Sequence, residues 1–114
     1  RVILDTQERT NPNATVYTDG HETMQIGADY NRLLPLLNRL GDMEKQRLLV
    51  EGGPTTILSF LREGLVDEFY LVQSTIVHQQ PVPSNIDEQL LVWAGLTLNR
   101  TEAWGEESVQ VWKR

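Results

Sequence analysis

Residues 47–63, RLLVEGGPTTILSFLRE, constrain the fold of this chain more than any other stretch. The apolar run Leu48-Leu49-Val50 reads as a buried strand, and it meets an acid, Glu51, then Gly52-Gly53 and Pro54. From Thr55 onward the apolar spacing turns helical, with Ile57, Leu58, Leu61 and Leu65 on one face. Proline suits the first turn of a helix, where its missing N–H is no loss. Strand, glycine turn and helix therefore follow in that order. Free N–H groups and the positive dipole end gather at such a helix start. Glycine lets an anion approach them with no Cβ in the way.

The same glycines would also serve a tight packing turn, and a lone Gly-Gly does not separate the two readings. Three features favour a phosphate-bearing ligand. The glycines follow the carboxyl end of a strand, where open α/β sheets bind ligands. Pro54 leaves its neighbours' N–H groups free, and Thr55 and Thr56 add hydroxyl donors. Glu51 is either solvated at the rim or aimed into a pocket; in a pocket it would repel a phosphate, so its partner there is a donor group such as an amine, amide or hydroxyl.

The rest of the chain supplies the elements around this junction. Val2–Leu4 reads as a short strand closed by a polar run from Asp5 to Arg9. Asn11-Pro12-Asn13 is a turn signal. Residues 14–18 alternate like a strand and end at the turn pair Asp19-Gly20, and residues 24–28 suggest another strand. Tyr30, Leu33, Leu34, Leu37 and Leu40 repeat with helical spacing. Asp29 or Asn31 would cap that helix and Gly41 would end it, while Pro35 requires a late start or distorted first turns. A strand at Phe69–Val72, extended through Ser74 to Val77, is followed by a loop over 79–85 and a short strand or turn at Leu90–Trp93. Residues 96–104 and 108–113 alternate around Gly105-Glu106-Glu107, which predicts an antiparallel hairpin. The order is that of an α/β sheet with an antiparallel end.

A length of 114 residues suits one domain over 1–114 with a modest core. With 10 Lys+Arg against 16 Asp+Glu the net charge is -6, which disfavours nucleic acid as a partner but leaves room for a local nest of N–H groups. The absence of cysteine removes disulfides and thiolate chemistry. His21 and His78 have no second ligand at metal spacing, so both read as loop or surface residues, and no metal is expected. Asp67-Glu68 reads as a capping or ion-pairing corner, and Trp93, Trp104 and Trp112 as packing residues. No apolar stretch nears the ~20 residues that span a bilayer, and no secretory signal opens the sequence, so a cytoplasmic protein is expected. The opening Arg1-Val2-Ile3-Leu4-Asp5 already reads as a core strand, which suggests a piece of something longer.

The segment LLVEGGPTTILSFLREGLVDEFYL resembles the characteristic stretch of the RibD C-terminal reductase family, whose fold is dihydrofolate-reductase-like. RVILDTQERTNP is similar to the family's strand R-V-hydrophobic-L-D-S/T followed by a basic residue and T-P, and the closing hairpin resembles its last two strands. The resemblance implies a mixed sheet flanked by helices with a C-terminal antiparallel hairpin, here as the C-terminal part of such a domain. It implies an NADPH-dependent reductase of riboflavin biosynthesis that reduces the ribosyl group of a phosphorylated ribosylaminopyrimidine to ribityl. Gly52, Gly53, Pro54, Thr55 and Thr56 would hold the cofactor's pyrophosphate, Thr6 would contact cofactor and Glu51 would reach the substrate. A homodimer is implied as well, with edge strands and tryptophans at the interface. Arg9 and Arg47 are candidates for the cation that the 2′-phosphate requires.

Two departures temper this. The family's domains are considerably longer, and the arginines for substrate phosphate and a second cofactor loop would precede Arg1, so the isolated chain is expected to be inactive. The family's hydrophobic-Gly-Gly loop is replaced by Ser74-Thr75-Ile76-Val77-His78-Gln79-Gln80-Pro81, with no glycine. A dihydrofolate-reductase-type or other nicotinamide-dependent reductase fits the junction equally well. So does a non-catalytic relative that keeps the fold for nucleotide binding or dimerisation.

Overall fold

The computed structural model describes residues 1–27 and 32–114 and resolves into two compact units, Arg1–Arg47 and Leu48–Arg114. The elements in chain order are β1 (Val2–Leu4), α1 (Thr15–Thr18), β2 (Met24–Ile26), α2 (Leu33–Asp42), α3 (Pro54–Arg62), β3 (Glu68–Gln73), α4 (Glu88–Trp93), β4 (Thr97–Trp104) and β5 (Glu107–Lys113). The fold is mixed α/β, with the strands in two sheets: a parallel pair β1-β2 and an antiparallel trio ordered β3-β5-β4.

In the first unit β1 and β2 pair with Ile3 opposite Gln25. Ile26, Leu36 and Leu40 form the core, with Val2, Met24 and Leu37 packed against it. Residues 14–18, expected to be a strand, instead contain the single helical turn α1. Tertiary bonds override the β-branched composition: the Val16 carbonyl accepts from the Arg1 guanidinium at 2.6 Å and from the Thr23 hydroxyl at 2.8 Å. Helix α2 does start late, so Pro35 is its third residue, within the first turn where no N–H has an intrahelical acceptor. The expected caps Asp29 and Asn31, the helical position of Tyr30 and the end of the second strand at Ala28 lie outside the described residues.

Gly41 does not end α2. The helix runs past it, and the chain turns at Glu44, whose φ is 60°. The Lys45 N–H donates to the Leu40 carbonyl at 3.0 Å and the Glu44 N–H to the Gly41 carbonyl at 2.8 Å. These are the two bonds of a Schellman termination, with glutamate in the left-handed position that glycine usually takes.

In the second unit α3 and α4 close with the same pair of bonds, and there glycine does occupy the left-handed site: Gly64 has φ 66° and Gly95 φ 86°. Leu90–Trp93, expected as a short strand or turn, forms most of helix α4. Its start is set by the Asp87 carboxylate, which accepts from the Leu90 N–H at 2.8 Å. Ile86, just before the cap, packs against the cluster that holds Leu91, a hydrophobic staple. Ser74–Val77 do not extend the third strand, which stops at Gln73. The Ser74 hydroxyl instead accepts from the Ile76 N–H at 3.1 Å, diverting the backbone from the ladder.

Strand β5 is central, and its register places Trp112 between Phe69 and Leu98. That face meets Leu61, Leu91, Ala94 and Leu96, and Trp112 is buried among them. A bulge at Asn99 lets Leu98 share the Trp112 face while Arg100, Glu102 and Trp104 lie on the opposite one. On that opposite face Val109 and Val111 are fully buried. The rings of Tyr70 and Trp104, from the two outer strands, meet over the central strand with centroids 6.3 Å apart. Trp104 also donates to Glu102 at 2.8 Å, and Tyr70 to Glu68 at 2.6 Å. Trp112 is thus the core tryptophan, whereas Trp93 and Trp104 are exposed.

Candidate functional site

The junction at residues 50–56 is built by helix α3 alone. The expected strand over Leu48–Val50 is not formed: residues 45–53 carry no regular structure and pair with no strand among the described residues, and Leu49 is 80% exposed. An apolar run supplies strand propensity, but a strand exists only where a neighbour completes its hydrogen bonds.

The helix start matches expectation. Pro54 is the first helical residue, and Gly53 is its N-cap with no side-chain cap bond. The Ile57 N–H reaches the Gly53 carbonyl at 3.3 Å, while the N–H groups of Thr55 and Thr56 have no acceptor among the described residues. Two donors therefore stand free at the positive end of the helix dipole. Glu51, Gly52, Gly53 and Thr55 are exposed, and Pro54 and Thr56 are half-buried.

The glycines separate the packing explanation from the ligand one. Gly53 has φ −72° and ψ 171°, extended backbone that any residue adopts, and a Cβ there would meet nothing within 4 Å. A Cβ on Gly52 would sit 3.4 Å from the Thr56 Cβ, which is ordinary contact. Neither backbone strain nor packing demands glycine at 53. What its missing side chain leaves is open space beside two free N–H groups, a fit for a phosphate oxygen.

Thr6 lies in the first unit, in the turn after β1, and its side chain is exposed. The residue that shapes this turn is Asp5, which the sequence motif does not single out. Asp5 is only 7% exposed, the one buried charged side chain among the described residues. Its carboxylate accepts from the Arg9 N–H at 2.9 Å, the Thr10 N–H at 2.7 Å and the Gln25 side-chain amide at 3.3 Å. The Thr10 N–H, then that of Arg9, holds the Asp5 carboxyl below the ordinary carboxylate range despite its burial. The available signal was an aspartate at a strand end, with backbone donors four and five residues on.

Arg9 and Arg47 are both exposed. The Ser74–Pro81 segment is irregular, with Ile76 and Val77 exposed. Among the described residues no group of His, Asp and Glu side chains is arranged to hold a metal ion, and no helix is long and apolar enough to cross a membrane.

The sequence model of the RibD C-terminal domain matches residues 1–109, nearly the whole chain. The chain belongs to the RibD C-terminal domain family. That family is associated with reductase activity in riboflavin biosynthesis, has a dihydrofolate-reductase-like fold and is generally nicotinamide-dependent. Both the junction at α3 and the Asp5–Thr10 turn fall inside the matched residues. No curated protein matches the chain.

Proposed function

We propose that this chain belongs to an NADPH-dependent reductase of riboflavin biosynthesis, which reduces the ribosyl group of a phosphorylated ribosylaminopyrimidine to ribityl. The observation that carries the proposal is the open space at Gly53 beside the free N–H groups of Thr55 and Thr56. In this reading Gly52 and Gly53 admit the cofactor's pyrophosphate, Pro54 fixes the helix start, and the Thr55 and Thr56 N–H and hydroxyl groups donate to phosphate oxygens. Thr6 donates to the cofactor from its own loop. Glu51 accepts from a substrate N–H or O–H, an orientation role suited to a carboxylate kept off the phosphates. When bound, the cofactor supplies the hydride for reduction of the ribosyl carbon. The protein's contribution is placement of the two reactants. A cytoplasmic location and a homodimer are part of the proposal, the dimer supported by the exposed Tyr70, Val72 and Trp104 on one sheet face.

Binding without reduction is a second reading, favoured by the glycine-free, exposed segment over 74–81. Fluorescence titration of the full-length protein with NADPH, followed by NADPH consumption with the phosphorylated pyrimidine, tests both. Saturable binding and turnover are expected. Absence of binding refutes the proposal, and binding without turnover selects the second reading.

A further inference from the structure

Resting on the cofactor role proposed for Thr6, we propose that Asp5 is a positioning residue: its buried carboxylate sets the Thr6–Thr10 loop so that the Thr6 hydroxyl faces the cofactor. Asp5 binds the loop from three sides. Its own N–H donates to the Ile26 carbonyl at 2.9 Å, which anchors it to β2 beyond the last ladder pair. Its carbonyl accepts from the Glu8 N–H at 3.1 Å, closing a turn with Thr6 and Gln7 at the centre. Its carboxylate then gathers the N–H groups of Arg9 and Thr10, and Gln25 on β2 braces the same carboxylate from the neighbouring strand.

The loop so formed is not a relaxed one. Glu8 has φ 53°, a left-handed conformation that glutamate adopts only when surrounding bonds hold it. The bonds to the Asp5 carboxylate are charge-assisted and shielded from solvent, which makes them the strongest restraint available to this turn. Thr6 forms none of these side-chain bonds and stays exposed, so Asp5 orders the loop while leaving the Thr6 hydroxyl free for a ligand. Asparagine cannot replace aspartate here. Both carboxylate oxygens accept backbone N–H groups, and an amide would turn a donor against one of them.

A double-mutant cycle in the full-length protein tests the proposal, with the NADPH Kd read by fluorescence titration and folding by thermal melting. T6A should raise Kd about tenfold, the loss of one good hydrogen bond, and D5N should raise it by a similar factor. D5N/T6A should bind no more weakly than the weaker single variant, since Asp5 acts through Thr6. Q25A removes only the brace, so it should raise Kd by a smaller factor in the wild-type background and not at all beside T6A. It also decides the matter if D5N does not fold. Unchanged affinity in D5N, or in Q25A where D5N does not fold, overturns the positioning role while T6A still upholds the cofactor role. Effects of D5N and T6A that multiply also overturn it. Unchanged affinity in T6A overturns both roles.

Discussion

Replacing Gly53 by valine separates the ligand and packing roles of the α3 junction. At φ −72° and ψ 171° valine is unstrained, and its Cβ would meet nothing within 4 Å. The folding penalty reduces to exchanging glycine for a poor N-cap residue, about 0.5–1 kcal/mol. In a domain of this size that lowers Tm by a few degrees, on the order of 5 °C. Binding should suffer more. The isopropyl group would fill the space beside the Thr55 and Thr56 N–H groups, and one charge-assisted bond is worth about 1.5–3 kcal/mol, or about 10- to 100-fold in Kd. NADPH titration and melting of the same full-length sample read both numbers. A collapse of Tm with unchanged affinity of the folded fraction would refute the ligand role, because the glycine would then serve packing alone.

The end of α2 offers a stability test. E44G relieves the left-handed strain at φ 60° and should stabilise by about 1 kcal/mol. G41A adds a Cβ that meets nothing within 4 Å inside a helix and should stabilise by about 0.5–1 kcal/mol. A higher urea midpoint at unchanged slope is the expected result for both, and a lower midpoint for E44G would contradict the turn at that residue. Asp19 gives the pH test. The Arg1 guanidinium, hydrogen-bonded to it, lowers its carboxyl to about 2. A depressed carboxyl stabilises the fold above its unfolded value and loses that contribution as pH falls through the folded one. Wild-type stability should therefore decline between about pH 4 and about pH 2 more steeply than that of D19N, and parallel acid profiles would exclude the pair as a source.

Helix α3 and the β4–β5 hairpin were legible in the sequence because their signals are local. Pro54 and Gly64 bracket the helix, and Gly105, with φ 66°, makes the two-residue turn. Helix α4 was misread because Leu90-Leu91-Val92-Trp93 looks strand-like by composition, while Asp87 and Ile86, which decide the matter, lie outside that run. Leu48–Val50 shows the opposite limit. Its apolar character is plain, but strand formation belongs to a pair of segments, and no residue in the run names its neighbour. The α3 junction was legible as a motif. The part played by Asp5 in the first unit was not, because a charge that orders a loop from within becomes visible only when its burial and its acceptor bonds are known.

The position of β5 bears on how the second unit acquires its structure. Of the three strands in its sheet β5 is last in sequence, yet it lies between the other two. Neither β3 nor β4 can pair until residues 107–113 are present. During synthesis on the ribosome β3 and β4 therefore emerge before the strand that both must pair with. Sheet formation is then a single late event in which β5 inserts and buries Val109, Val111 and Trp112 together. Substitutions that weaken β5 should therefore show themselves less as a loosened hairpin than as nascent chains that aggregate before the sheet closes.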